Sequence, residues 1–120
     1  GGELSRILLS IKSILSKHLN LPTMIFDEID TGISGEMSNA MANLMLKMSK
    51  KMQIISITHL AQVAAKGQNQ YNVFKRQSSN KTSTHIKKLS DIERIEEIAK
   101  MLSGDEISSS AINHAKELLN

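Results

Sequence analysis

At 120 residues, 40% of them apolar, the chain is long enough for one compact domain burying roughly two-thirds of its unfolded surface. No cysteine occurs, which excludes disulfides and thiolate metal sites and fits a reducing cytosol; aromatics are only 2%, so Leu, Ile, Val and Met must fill the core. The sequence contains no apolar stretch of transmembrane length and no signal-peptide pattern, and its formal charge of +3 permits a nucleic-acid partner without arguing for one.

The chain opens on Gly1-Gly2 and runs within a few residues into a helix, the start expected of a piece of something longer. Over residues 3–19, Leu4, Ile7, Leu8, Ile11, Leu15 and Leu19 recur at helical spacing, with Arg6, Lys12 and Lys17 elsewhere. Pro22 closes the connection, and T-M-I-F at 23–26, bounded by proline and acids, reads as a buried strand. D-T-G at 30–32 is turn chemistry. A second helix is predicted over 34–51, with Met37, Met41, Leu44, Met45 and Met48 on one face as adaptable core filling. Q-I-I-S-I-T at 53–58 is a second buried strand, followed by His59 and a short helix over 60–66. Beyond the polar loop K-G-Q-N-Q, the segments Y-N-V-F-K-R and S-T-H-I-K-K-L predict an antiparallel hairpin. S-D-I-E at 90–93 is a capping box opening a helix to about Met101; Gly104 ends it, and a last amphipathic helix covers roughly 108–119. The order αβαβαββαα is that of an α/β fold whose first two strands pair in parallel across the intervening helix.

Asp27, Glu28 and Asp30 fall within four residues, directly after an apolar run. In open α/β sheets ligands bind at the carboxyl ends of strands, where Asp27 and Glu28 are predicted to lie. Neighbouring residues there point in different directions, so one acid can hold Mg2+, usually through water, while the other takes a proton from an attacking water. An apolar strand followed by D-E is thus a Walker B pattern; equally, it is a solvated strand end with helix-capping acids. Two further features bear on the choice. Gly1-Gly2-Glu3 opens a helix, where glycine backbone and helix N–H groups suit a phosphate, although any glycine pair before a helix would do as much. His59 ends the second strand after Thr58, on the edge that Asp27 and Glu28 share if the strands are parallel, and can donate a hydrogen bond to a terminal phosphate or to the attacking water. Lone histidines are more often structural, and His18, His85 and His114 show no metal-ligand spacing.

Taken together, G-G-E-L-S-R, P-T-M-I-F-D-E-I-D-T-G-I-S-G and I-T-H-L-A-Q-V-A-A resemble ATP-binding-cassette-type heads of the SMC-like class. Within that class the chain is similar to the C-terminal part of the RecN family of bacterial DNA double-strand-break repair proteins. The match runs over nearly the whole chain, through R-I-E-E-I-A-K-M-L-S-G and the H-A-K-E-L-L ending. The resemblance implies the C-terminal lobe of a P-loop NTPase head, one domain over 1–120 with a partly parallel sheet, an antiparallel hairpin and C-terminal helices. It implies that Gly1, Gly2 and Glu3 are the tail of the signature motif, which contacts the γ-phosphate of ATP held by a second head. Asp27 then matches the Walker B magnesium acid, Glu28 the general base and His59 the switch histidine. Thr31, Gly32, Ile33 and Ser34 fall on the D-loop that crosses the dimer interface. Ser34 stands where many cassette ATPases carry aspartate, and Ala61 where proline is expected. Asp30 fits a turn cap as well as a ligand.

No G-x-x-x-x-G-K-S/T loop occurs in the sequence to cradle the α/β-phosphates. The resemblance therefore implies that an N-terminal lobe of the same protein supplies it, that ATP and Mg2+ are held only in the full-length protein, and that this segment alone is inactive. The implied partners are that lobe, a second head in a homodimer, and DNA; the implied location is cytoplasmic, on the nucleoid. A rival reading is a non-catalytic DNA-binding or interaction module. Its support is Lys75, Arg76, Lys81, Lys87 and Lys88, with no acid between Tyr71 and Ser90, which can bind phosphates in a salt-sensitive way. Those cations serve equally to keep an exposed strand edge soluble, and Tyr71 and Phe74 alone are too few for a stacking platform. A head fragment of another SMC-like or transporter ATPase is the third reading. Asp91, Glu93, Glu96 and Glu97 crowd the first turns of their helix, where its dipole favours them.

Overall fold

A computed structural model describes residues 2–120 and divides the chain, expected as one domain, into two compact units, residues 1–66 and 67–120. In the first unit the elements are α1 (Gly2–Leu19), β1 (Thr23–Asp27), α2 (Glu36–Met48), β2 (Gln53–Ile57) and α3 (Ala61–Lys66). β1 and β2 pair in parallel, from Thr23 opposite Gln53 to Asp27 opposite Ile57. The helical crossover α2 makes that pairing possible, since parallel neighbours cannot be joined by a tight turn. Met24 and Phe26 point into a core shared with Leu9, Ile33, Met41, Ala42, Met45, Met48 and Val63. The methionine face of α2 is thus core at Met41, Met45 and Met48, whereas Met37, in the first turn of the helix, is exposed.

The expected burial of the strands and the expected start of α2 are corrected here. The strands are buried on one face only: Ile25, Ile55 and Ile57 lie 54%, 43% and 51% exposed on the other. An apolar run of this kind suits a sheet covered on both faces, and within the described residues of the first unit nothing covers the second. The apolar residues that recur at helical spacing in α1 point outward, Leu4, Ile7, Leu8, Ile11, Leu15 and Leu19 being between 40% and 60% exposed. α1 instead buries Ser5 and Leu9. From the half-buried flank of the same helix, Lys12 donates to the Ile25 carbonyl at 3.1 Å and lies over the Phe26 ring, 5.0 Å from its centroid. A lysine on a strand edge takes up a carbonyl that would otherwise recruit another strand. α2 starts at Glu36 rather than Ser34, because Gly35 caps it at φ 59°, with the Ser38 hydroxyl donating to the Gly35 carbonyl at 2.6 Å.

The second unit holds β3 (Tyr71–Ser78), β4 (Lys81–Lys88), α4 (Asp91–Ser103) and α5 (Ser109–Leu119). β3 and β4 form the predicted antiparallel hairpin around Ser79-Asn80, with Phe74 opposite His85 and their rings stacked at 5.6 Å. The capping box is present: Glu93 N–H donates to Ser90 Oγ, and Ser90 N–H donates to Glu93 Oε2. Gly104, at φ 78°, ends α4, and Ile98 and Ala99 of α4 and Ala111 and Ala115 of α5 are buried. Asn72 donates to Glu97 at 3.0 Å and Lys87 pairs with Glu93, tying the hairpin to α4. The hairpin cations are thus partly committed, since Arg76 also lies over the Phe74 ring at 5.2 Å. No helix of the described residues is long and apolar enough to cross a membrane.

Candidate active site

Asp27 is the last residue of β1, solvent-exposed, and paired in register with Ile57 at the end of β2. Glu28 follows at φ 49°, in the left-handed region that non-glycine residues seldom occupy. Its N–H still donates to the Ile57 carbonyl at 3.0 Å, extending the ladder, while its carbonyl accepts from the Thr31 hydroxyl at 3.0 Å. The left-handed step turns the chain off the sheet with the Glu28 side chain exposed, and holding a side chain there costs about 1–3 kcal/mol. His59 lies just beyond Ile57, its side chain 61% exposed. Parallel pairing therefore brings Asp27, Glu28 and His59 to one edge of the sheet, as expected.

Of the D-loop candidates, Thr31, Gly32 and Ser34 are exposed, whereas Ile33 is 6% exposed and part of the core. Only the first three are free to meet a partner; Ile33 anchors the turn, aided by its N–H bond to the Asp30 carbonyl at 3.1 Å. Gly32 takes φ 75°. Gly1 lies outside the described residues, and Glu3 is exposed in the first turn of α1. Gly2 is confined within its own chain: a Cβ there would stand 2.9 Å from the Gly32 carbonyl oxygen. The signature and D-loop candidates thus touch backbone to backbone, and only glycine fits between them.

Asp30, for which a turn cap and a ligand role stood equal in the sequence, is 2% exposed. Its Oδ2 accepts a hydrogen bond from the Thr58 hydroxyl, which in turn accepts the Leu60 N–H at 2.9 Å. Its Oδ1 lies 3.6 Å from His59 Nδ1 and has no hydrogen-bond donor among the described residues. The sequence signal for this residue is the third acid of D-E-I-D; its partner Thr58, just past the end of β2, could not be read from it. No three His, Asp or Glu side chains converge on a cation position among the described residues.

No protein-family model matches the chain. Over its whole length it is 43% identical to the DNA repair protein RecN of Haemophilus influenzae, and over 119 residues 44% identical to that of Bacillus subtilis and 41% to that of Deinococcus radiodurans. It spans about a fifth of each of these relatives, 22% of the first and 21% of the other two. Among solved structures, a chain from "Structural biochemistry of ATP-driven dimerization and DNA stimulated activation of SMC ATPases" superposes with a TM-score of 0.68. The superposition covers 88% of this chain and 63% of that one at 20% identity, a likeness of fold. The expected α/β architecture is the one found.

Proposed function

We propose that this chain, similar throughout to a stretch of the RecN proteins, is the C-terminal segment of an ATPase head in a RecN-like DNA double-strand-break repair protein. The observation that carries the reading is the shared sheet edge: Asp27 in register with Ile57, Glu28 turned off the strand beside it, and His59 at the end of the neighbouring strand. In this reading Asp27 holds Mg2+ through water. An exposed carboxylate suits a cation that keeps several waters and takes its other ligands from phosphates. Bound there, the ion would neutralise charge that develops on the phosphates. Glu28, exposed and held by its backbone, accepts the proton of the attacking water, a role worth roughly 100- to 10,000-fold. His59 meets the terminal phosphate or the attacking water.

Gly1, Gly2 and Glu3 would face the nucleotide of a second head, with Thr31, Gly32 and Ser34 at the interface between heads. The loop that cradles the other phosphates comes from an N-terminal lobe of the same protein, so this segment alone neither binds ATP nor turns it over. DNA and a second copy are the partners, in the cytoplasm.

The test is ATP hydrolysis by the full-length protein and its Glu28→Gln variant, which keeps shape and removes the base. Turnover should fall by at least about 100-fold while ATP binding is retained. Equal rates would return Asp27 and Glu28 to capping acids at a solvated strand end.

A further inference from the structure

Asp30 is the one buried ionisable side chain among the described residues. Each of its oxygens has a different fate. The Thr58 hydroxyl accepts the Leu60 N–H and directs its only proton to Oδ2, which fixes the carboxylate plane. Oδ1 is buried with no donor among the described residues, and His59 Nδ1 stands 3.6 Å away on a ring that is mostly in solvent. A carboxylate oxygen without a donor therefore faces an imidazole nitrogen just outside hydrogen-bond range, on a side chain with room to swing.

We propose that Asp30 is a positioning residue for His59: Nδ1–H donates to Oδ1, which sets the ring plane and tautomer and leaves Nε2 as the nitrogen that meets the nucleotide. This rests on the reading of His59 as the residue facing the terminal phosphate. The hydrogen bond made at one imidazole nitrogen decides which nitrogen carries the proton. With Nδ1–H committed to Asp30, Nε2 of the neutral ring accepts from the attacking water; in the charged ring Nε2–H donates to phosphate, and the carboxylate balances the added charge. Asp30 also begins the turn through Gly32 and Ile33, so the same side chain joins that turn to the end of β2.

The experiment uses the full-length protein labelled with 15N-histidine, read by NMR at a pH where the ring is neutral, together with steady-state ATP turnover. The wild-type ring of His59 should be the Nδ1–H tautomer, and an Nε2–H ring overturns the proposal without any variant. Asp30→Asn keeps the shape but offers an amide donor to Nδ1, so the tautomer should reverse. In that variant kcat should fall on the order of 10- to 100-fold with KM for ATP little changed, since the ring remains but is wrongly protonated. His59→Ala should lower kcat at least as much, and the double variant should be no slower than His59→Ala alone. Additive losses, or an unchanged tautomer in Asp30→Asn, overturn the positioning role and leave the reading of His59 intact. Undiminished turnover in His59→Ala overturns both.

Discussion

Glu28 sits where two demands meet. Its left-handed backbone turns the chain away from the sheet while its N–H completes the last rung of the ladder to Ile57. Glycine relieves such strain but enlarges the entropy of the unfolded chain by about 1 kcal/mol, which offsets the lower end of the strain. Glu28→Gly should therefore leave the midpoint of urea unfolding nearly unchanged, within about 1 kcal/mol, even as it removes the carboxylate; a large loss would mean that the side chain holds the turn. The residues of this site were legible in the sequence to different degrees. Asp27, Glu28 and His59 stand at strand ends, and strand ends follow from apolar runs. Asp30 was not legible, because its partners depend on how a turn folds back over β2. Gly2 was read as a residue for a ligand, and the closeness of the Gly32 carbonyl gives it a reason inside its own chain.

Among the elements, α4 shows how far local chemistry reaches. Its box at Ser90 and Glu93 joins residues only three apart, so the sequence is enough to find it. Glu93 has a second partner that the sequence did not suggest. The Lys87 ammonium across from it, and then the Ser90 N–H, hold its carboxyl below the ordinary carboxylate range. A lowered value in the folded state stabilises above the unfolded value, and that stabilisation is lost as the pH falls through the folded one. Glu93→Gln retains the cap but not the charge, so variant and wild type should differ slightly in stability at neutral pH and converge in acid. A gap that persists in acid would assign the effect to the cap. α1 marks the limit in the other direction: periodicity found its apolar stripe, but only the fold reveals that the helix packs through Ser5 and Leu9 and turns the stripe away. Spacing identifies a face and is silent on what meets it.

At the scale of the molecule, the order of the nine elements found among the described residues could be read from the sequence, whereas the division into two compact units could not. The signals that mark elements are local, and those that divide a chain lie in contacts between distant residues. The first unit leaves two apolar faces uncovered among the described residues, the stripe of α1 and the outer face of β1 and β2. Contiguous apolar surface of this kind drives association. The 120-residue chain by itself should sediment as a mixture whose mass rises with concentration, and Ile7→Glu with Ile11→Glu should shift it toward monomer at little cost to folding, since both side chains are exposed. A monomer at every concentration would mean that these faces are too dispersed to matter.

The outward stripe of α1 has a thermal consequence as well. Covering leucine and isoleucine removes apolar surface whose hydration becomes less unfavourable as the solution cools, so the gain from covering them shrinks in the cold. A partner seated on this stripe would be held least firmly at low temperature, and the apolar core of the first unit weakens with it, whereas the hydrogen-bonded hairpin of the second unit is affected less. Chilling thus loosens what apolar surface joins more than what hydrogen bonds join.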